Sequence, residues 1–316
     1  MKILFFGESE RDKKEHYTNT LPGHELVFLD HDLSEDKLPK DRSAEIISIF
    51  VKSKMTKQVI DNFPNLRMIA VRATGFDNID LEYAKQKNII VSNVPAYGSH
   101  TVAEFAFGLI LSLSRKIPQA IERVKTKKKF DHTGLRGFDL FGKTLGVVGT
   151  GKIGANVIKI ASGFGMKIIA CDSYPNQDLV KTYDFKYVLL DQLLKEANII
   201  TIHVPSLPET HHLINSKNIS LVKDGSLIIN TARGDIIETA ALVAWLKRNK
   251  LGAAGLDVLE DEKELTSKEK GLLKLPNVVV TPHTAFYTLE AEQAIAETTS
   301  ENIKQFILGK TQNQVN

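Results

Sequence analysis

The sequence predicts an α/β protein of two domains, each built on a parallel sheet. Short apolar runs alternate with amphipathic helical patterns along nearly the whole chain, as in parallel sheets covered by helices. The 316 residues are enough for two such domains. Hydrophobic residues make up 42% of the chain and charged residues 25%, so cores can form without disulfides or structural metals.

The first part of the chain, residues 1 to about 98, is expected to form an α/β unit in its own right. Apolar runs of strand length predict strands at Lys2–Gly7, Glu25–Leu29, Ile46–Val51, Met68–Arg72 and Ile89–Ser92. Helical patterns fit Lys54–Asn62 and Leu81–Gln86. No glycine-rich phosphate-binding motif occurs here, so we expect no nucleotide site in this part.

The second part begins with a helical segment from about Ser99 to Thr126, which is apolar through Leu113 and so expected to be largely buried. Strands are predicted at Thr144–Val148, Lys167–Ala170, Ile199–Val204, Ser226–Asn230, Ala253–Leu256 and Val278–Thr281. Helices fit Ala155–Phe164, Leu189–Glu196, Ile214–Leu221, Thr239–Asn249 and a last amphipathic segment, Leu289–Leu308.

Composition excludes several function classes. The net charge of +3 is too small to indicate a nucleic-acid partner, and no apolar stretch approaches the ~18 residues that span a bilayer. The single cysteine, Cys171, cannot form an internal disulfide and fits a reducing compartment. The apolar run at the N-terminus is short for a signal peptide and suits a strand. We therefore expect a cytoplasmic protein with a small-molecule substrate, no membrane or nucleic-acid partner and no metal site.

One motif indicates a nucleotide site. Gly149-Thr150-Gly151-Lys152-Ile153-Gly154 reads G-x-G-x-x-G and lies between a predicted strand and a predicted helix. Gly149 permits a tight turn, Gly151 lets the backbone approach a pyrophosphate, and Gly154 lets helix and strand pack closely. Asp172 follows Gly154 by 172 − 154 = 18 residues, where its carboxylate can accept hydrogen bonds from a ribose 2′-OH and would repel a 2′-phosphate. The sequence therefore predicts NAD as the cofactor.

Polar residues stand at or just beyond the ends of several predicted strands. Ligands of open parallel sheets bind beyond the carboxyl ends of the strands, so these residues should converge on one site. They are Asp172, His203, Thr231, Arg233, Asp257 and His283. The predicted cofactor contacts are Gly149, Gly151, Lys152, Ile153, Gly154, Asp172, His203, Val204, Pro205, Thr231, Ala232, Arg233, Asp257 and His283.

Three residues of this region could act on a 2-hydroxy acid. A guanidinium, that of Arg233, can hold a carboxylate through two parallel hydrogen bonds. A histidine, His283, can exchange a proton near neutral pH. A carboxylate beside it, that of Glu262, would orient the ring and favour the imidazolium. From position alone each has another interpretation: Arg233 could pair with Asp235 on the surface, Glu262 could be a solvated acid, and His283 a loop histidine. His203 could likewise be a structural histidine.

The chain resembles the D-2-hydroxyacid dehydrogenases over essentially its whole length. The resemblance rests on an ordered series of stretches: Val71–Asp80, Asn93–Tyr97, Val102–Glu104, Gly149–Gly154, His203–Pro205, Ile229–Gly234, Gly255–Val258 and Thr281–Thr288. It implies that the family's Arg–Glu–His catalytic set is Arg233, Glu262 and His283. It also implies reversible hydride transfer between NADH and a 2-oxo acid.

The resemblance implies an architecture as well. It predicts two Rossmann-like doubly wound parallel-sheet domains with the active site in the cleft between them, and a homodimer. Residues 1–98 with 288–316 would form a flavodoxin-like substrate-binding domain, and residues 99–287 the NAD-binding Rossmann domain. The implied substrate contacts are Lys52, Thr74, Gly75, Tyr97, Arg233, His283 and Phe286.

The segment after His283 indicates a branch of the family. Thr284–Thr288 resembles the D-lactate dehydrogenases, and Phe286 and Tyr287 would form an apolar wall for a short side chain, which favours pyruvate. Lys52 departs from that branch, which usually has a tyrosine there, and would favour a more anionic substrate if it faces the site. The alternatives are reduction of glyoxylate, hydroxypyruvate or a branched 2-oxo acid, or a non-catalytic NAD(H)-sensing protein of the same fold.

Overall fold

The computed structural model describes residues 1–8, 10–248, 252–262 and 264–316. These residues form two compact units: Met1–Tyr97 with Thr288–Asn316, and Gly98–Tyr287. Each unit holds one sheet whose strands all pair in parallel, which confirms the predicted fold class. Within the described part of the chain, no helix combines the length and the apolar character needed to cross a membrane.

The first unit holds a five-stranded sheet in the order β2-β1-β3-β4-β5. Its strands are Lys2–Phe6 (β1), Glu25–Leu29 (β2), Ile46–Ile49 (β3), Met68–Val71 (β4) and Ile90–Ser92 (β5). Its first helices are Arg11–Thr20 (α1), Lys57–Asp61 (α2) and Leu81–Gln86 (α3). Both β3 and β4 are buried along their whole length, because an unbroken apolar run suits a strand covered on both faces.

The helix α1 is missing from the sequence prediction. Most of its residues are polar, and Tyr17 is the one buried residue among the ten of α1, so no apolar stripe marks it. The ring of Tyr17 packs on that of Phe5 in β1, with 4.4 Å between ring centroids. Tyr17 also stacks on Phe28 in β2, so aromatic contacts with two strands help to attach this polar helix to the sheet.

The second unit holds a seven-stranded sheet in the order β12-β11-β10-β9-β6-β7-β8. Its strands are Thr144–Val148 (β6), Lys167–Cys171 (β7), Lys186–Tyr187 (β8), Ile199–Ile202 (β9), Leu227–Asn230 (β10), Ala253–Leu256 (β11) and Val278–Val280 (β12). Its helices are Ser99–Ser114 (α4), Ile117–Lys125 (α5), Lys152–Gly163 (α6), Gln177–Tyr183 (α7), Leu190–Glu196 (α8), Thr239–Lys247 (α9) and Ser267–Leu272 (α10). Leu289–Ile307 (α11) returns to the first unit, where it packs on α1 and β4.

Of the helical predictions for the second unit, Ser99–Thr126 is confirmed as helical but is divided into α4 and α5, and Ile214–Leu221 is wrong. The segment Ser99–Thr126 is not one helix, because Lys116 takes a left-handed conformation, with φ of 51°, between α4 and α5. The segment Ile214–Leu221 is not an α-helix: Ile214 pairs with Ile237 in a bridge, and only a 3₁₀ turn forms at Ile219–Leu221. The last residue of the predicted helix Thr239–Asn249 lies outside the described residues.

Candidate active site

The glycine-rich turn joins β6 to the start of α6 at the point where the strand order reverses, with β7 on one side of β6 and β9 on the other. Gly149 has φ of 91°, and a Cβ there would lie 2.8 Å from the carbonyl carbon and oxygen of His203. A Cβ on Gly154 would lie 2.0 Å from the carbonyl oxygen of Gly149. At Gly151, by contrast, nothing lies within 4 Å of the Cβ position. Two glycines thus allow close backbone packing, and the third leaves open space at the helix N-terminus.

Asp172 follows β7 and lies against the same turn. Its Oδ2 accepts hydrogen bonds from the Thr150 N–H at 2.6 Å and from the Thr150 hydroxyl at 2.9 Å, and its Oδ1 accepts one from the Tyr174 N–H at 2.8 Å. Partial burial raises the pKa of Asp172, but these hydrogen bonds outweigh it and the net pKa lies below its ordinary value. The carboxylate is therefore ionised and fixed beside the turn.

The hydrogen-bond partners of Asp172 are not evident from the sequence. The Thr150 hydroxyl lies 2.9 Å from the hydroxyl of Tyr187, which also accepts a hydrogen bond from the Asn176 N–H at 2.9 Å. Thr150 occupies a variable position of the G-x-G-x-x-G pattern, and Tyr187 lies in the two-residue strand β8, which has no periodicity to detect. A short polar network thus holds Asp172 in place beside the turn.

Two polar groups predicted to contact the cofactor are buried without a hydrogen-bond partner in the described part of the chain. They are Nδ1 of His203 and the hydroxyl of Thr231. Nε2 of His203 lies 2.8 Å from the Thr201 hydroxyl, and desolvation lowers the pKa of His203 to about 3, so the ring is neutral. Buried polar atoms without partners are rare, and a dinucleotide with its ribose and amide groups would supply such partners. With the open space over Gly151, these atoms fit the predicted cofactor.

The remaining predicted cofactor contacts lie at the start of α6, beside the glycine-rich turn and in the turn after β10. Lys152 and Ile153 are the first residues of α6. Val204 lies beside Gly149, since a Cβ on that glycine would come within 2.8 Å of its side chain, and Pro205 follows it. The Ala232 N–H donates to Oδ1 of Asn230 at 3.0 Å and so shapes the turn after β10.

Asp257 follows β11, is 1% exposed and organises the loop carrying His283 through its carboxylate. Its Oδ1 accepts hydrogen bonds from the Thr281 hydroxyl at 2.5 Å and the Thr284 N–H at 2.9 Å, and its Oδ2 accepts one from the Ala285 N–H at 2.8 Å. The carbonyl of Asp257 accepts the His283 N–H at 2.8 Å. The sequence predicts a cofactor contact for Asp257, and the structure adds this loop-building role.

The loop after β12 brings His283 to Glu262. Nδ1 of His283 lies 3.0 Å and 3.1 Å from the two carboxylate oxygens of Glu262, and His283 has a left-handed backbone with φ of 56°. Partial burial raises the pKa of Glu262, but the hydrogen bond and charge of His283, with a smaller effect of Arg233, outweigh it and the net pKa lies below its ordinary value. An ionised carboxylate bonded to Nδ1 fixes the orientation of the ring. The ring of Phe286 meets that of His283 edge-on, at 6.4 Å between centroids.

Arg233 stands in extended backbone just after β10, with φ of −142° and ψ of 143°. Its Nη1 donates to the carbonyl oxygen of Ala232 at 2.9 Å. Its charge reaches Glu262, because it contributes to lowering the pKa of that carboxyl. The second unit therefore brings together Arg233, Glu262 and His283 from the ends of three neighbouring strands.

The other predicted substrate contacts belong to the first unit, at the carboxyl ends of β3, β4 and β5. Lys52 follows β3 with an exposed side chain. Thr74 and Gly75 follow β4: the Thr74 hydroxyl donates to the Val94 carbonyl at 3.0 Å, and the Thr74 carbonyl accepts a hydrogen bond from the Asn93 side chain. Tyr97 ends the first segment of this unit.

Known proteins resemble this chain over its whole length. The family model for D-isomer specific 2-hydroxyacid dehydrogenase, NAD binding domain, matches residues 107–285. The D-lactate dehydrogenase of Escherichia coli is 36% identical, with 98% of each chain covered, and the aromatic 2-oxoacid reductase of Clostridium sporogenes is 41% identical, with 99% of each covered. The structure of D-lactate dehydrogenase from Aquifex aeolicus, complexed with NAD and lactic acid, matches with a TM-score of 0.90 at 37% identity, covering 97% of this chain and 96% of that one.

Proposed function

The chain belongs to the D-isomer specific 2-hydroxyacid dehydrogenase family of NAD-dependent oxidoreductases, and from this premise we propose that it reduces a short 2-oxo acid, pyruvate first, to the D-2-hydroxy acid. The observation that carries the proposal is the pair formed by Glu262 and His283, 3.0 Å apart, within reach of the charge of Arg233. This arrangement offers a proton donor and a carboxylate-binding cation. Both are needed to reduce a 2-oxo acid.

Each group has a distinct task in the proposed reaction. Bound NADH supplies the hydride that reduces C2 of the substrate. Arg233 binds the substrate carboxylate through its guanidinium and polarises the adjacent carbonyl. His283 gives a proton from Nε2 to the carbonyl oxygen, while Glu262 holds the ring through Nδ1. In the reverse direction the same nitrogen takes the proton from the hydroxyl.

The open space over Gly151 and the unpartnered buried atoms of His203 and Thr231 indicate which residues would hold NAD. The pyrophosphate would lie over Gly151 at the N-terminus of α6. Asp172 would accept hydrogen bonds from a ribose, and His203 and Thr231 would bind through their unpartnered buried atoms. The substrate would also contact the backbone at Thr74–Gly75. We propose that residues 1–98 with 288–316 serve the substrate and residues 99–287 the cofactor.

The positive charge of Lys52 suggests a second candidate class of substrate, the 2-oxo acids with two carboxylates. Its exposed ammonium stands at the carboxyl end of β3, next to β4, whose following loop carries Thr74 and Gly75. A cation there favours a 2-oxo acid with a second carboxylate, such as oxaloacetate, over pyruvate. Phe286, beside His283, favours a short or apolar side chain instead.

We also propose a cytoplasmic homodimer. The single cysteine, Cys171, is a free thiol, as fits a reducing compartment. The helix α5 buries none of its residues and exposes an apolar stripe of Ile117, Ile121 and Val124, with Phe130 beyond it 95% exposed. An apolar stripe of this kind is typical of a surface covered by a second copy. Sedimentation of the purified chain distinguishes a dimer from a monomer.

The function is tested by following NADH oxidation at 340 nm with pyruvate, oxaloacetate, phenylpyruvate and a branched 2-oxo acid. Phenylpyruvate belongs in the panel because the relative from Clostridium sporogenes is named an aromatic 2-oxoacid reductase. The proposal expects turnover of at least one substrate and a product of D configuration by chiral chromatography. A protein that binds NADH but turns over none of them would be the non-catalytic sensor instead.

A further inference from the structure

The segment that carries Glu262 is attached to the segment that carries Arg233. A Cβ on Gly234 would lie 2.0 Å from the carbonyl carbon and oxygen of Leu259, so the two backbones touch at this glycine. A third segment runs alongside: the His212 N–H donates to the carbonyl of Asp235 at 2.8 Å. None of these contacts takes part in the proposed chemistry.

Glu260 joins the three segments through its side chain. One carboxylate oxygen lies 2.8 Å from Nε2 of His212, and the other accepts the N–H of Thr239, the first residue of α9, at 3.2 Å. Partial burial raises the pKa of Glu260, but the hydrogen bonds from Thr239 and His212 outweigh it and the net pKa lies below its ordinary value. Glu260 is therefore an ionised anchor, and Glu262 lies two residues beyond it, within about 7 Å of chain.

Other titratable groups surround His212. The ring of His211 stacks on it at 3.9 Å between centroids. Nδ1 of His211 lies 3.8 Å from Oδ2 of Asp235, which also accepts the Ser206 hydroxyl at 2.6 Å. The carboxylate of Glu238 accepts the N–H of Ser216 at 2.7 Å in the same region. Of these groups, Glu260 makes the direct hydrogen bond to the ring of His212.

We propose that His212 and Glu260 are positioning residues, which hold the turn before Glu262 so that this carboxylate stays bonded to His283. The inference rests on the proposed function for its catalytic consequence. If the link is broken, the turn retains its backbone packing on Gly234, but its side-chain anchor to α9 and to the segment of His212 is weakened. The hydrogen bond between Glu262 and His283 is then formed a smaller fraction of the time, and the protonated ring of His283 loses part of the negative charge that stabilises it.

The test compares His212→Ala with His211→Ala. The second variant is the matched control, because His211 is the neighbouring ring and makes no direct bond to Glu260. In His212→Ala the alkaline limb of the profile of kcat/KM against pH, measured for reduction, should move to lower pH by about half a unit. At a given pH on that limb, kcat/KM should be about threefold lower than in the wild type. His212→Gln, which retains a donor, should recover most of it. NADH affinity should stay within about twofold of wild type, and His211→Ala should leave the limb in place.

A double-mutant cycle separates positioning from general destabilisation. In a Glu262→Gln background, His212→Ala should shift the limb no further, because the contact it maintains is already altered. A lower melting temperature of His212→Ala with an unmoved limb would overturn the proposal. If His212→Ala does not fold, Glu260→Gln replaces it and should shift the limb in the same direction.

A measurement without turnover keeps the inference separate from the proposed function. The ring titration of His283 can be followed by NMR in the ligand-free protein, with its signal identified by its loss in His283→Gln. The titration should move to lower pH in His212→Ala and stay unchanged in His211→Ala. This result would hold even if no 2-oxo acid were turned over. An unchanged titration in His212→Ala would overturn the positioning role whatever the substrate.

Discussion

A single added methyl group in the glycine-rich turn should weaken NADH binding without changing the stability of the fold. Gly151→Ala adds a Cβ where nothing lies within 4 Å, on a backbone with φ of −61°, which alanine also adopts. We expect a melting temperature within about 2 °C of wild type, since a compatible Gly→Ala change costs little. The methyl group occupies the space where the pyrophosphate would lie. The Kd for NADH should therefore rise at least ~10-fold, about 1.4 kcal/mol.

Gly154→Ala should behave differently. Its Cβ would lie 2.0 Å from the Gly149 carbonyl oxygen and 3.0 Å from the carbonyl carbon, so the turn or α6 must move. Overpacking of this kind costs about 1–3 kcal/mol. At about 2–4 °C per kcal/mol for a unit of this size, the melting temperature should fall by roughly 2–12 °C. NADH binding should weaken as well, because the displaced turn is the one that receives the pyrophosphate.

Thermal unfolding without ligand and fluorescence titration with NADH measure the two effects separately. Gly163→Ala is the matched control: it ends the same helix, α6, and has nothing within 4 Å of its Cβ position. Its Kd for NADH should match wild type. Wild-type affinity in Gly151→Ala would mean that the pyrophosphate does not lie over this turn. A wild-type melting temperature in Gly154→Ala would contradict the close packing of α6 on Gly149.

Three further changes test the remaining site residues. Asp172→Ala should narrow the preference for NADH over NADPH in kcat/KM, and a wild-type preference for NADPH would refute the role of that carboxylate. Arg233→Ala should weaken substrate binding by about 2–5 kcal/mol and reduce turnover, while NADH still binds. Arg233→Lys should restore only part of the activity. A near-normal KM in Arg233→Ala would show that Arg233 does not bind the substrate. Glu262→Gln removes the charge that favours the imidazolium, so His283 should lose its proton at lower pH and reduction should decline earlier as the pH rises. A profile of kcat/KM against pH that does not move would mean that the charge of Glu262 does not stabilise the imidazolium.

The elements that sequence could predict are those whose apolar residues form unbroken or periodic patterns. The strands β6 and β11 begin and end where the sequence predicts, because their residues are buried and few polar side chains interrupt them. The helices α7 and α10 are absent from the prediction, because α7 buries none of its residues and α10 is a short segment with three charged residues. Short polar helices of this kind are stabilised by their caps, as at Asn176 and Thr266, rather than by an apolar stripe.

In the candidate site, too, residues marked by a local pattern could be predicted, and contacts between distant segments could not. Spacing predicts a cofactor contact for Asp172, and residue types together with the resemblance predict the pair of Glu262 and His283. No local pattern indicates that Glu260 bonds to His212, 48 residues earlier, since a contact of that separation depends on how the segments pack. The Ile214–Leu221 helix prediction failed in this same region, because the segment after His212 pairs with the chain that follows Arg233.

The strand order explains how residues far apart in sequence come to lie along one edge of a sheet. Across the sheet from β12 to β7, the segments that follow the strands carry His283, then Glu262, then Arg233, then His203, then the glycine turn, then Asp172. Neighbouring strands lie about 4.8 Å apart, so the segments that carry His283, Glu262 and Arg233 span only about two strand spacings. The glycine turn and Asp172 occupy the other end, beyond His203. In the proposed function, a dinucleotide laid across this edge would place its nicotinamide half at the titratable groups and its adenosine half at the turn. Substitutions at the titratable groups should then leave NADH binding measurable.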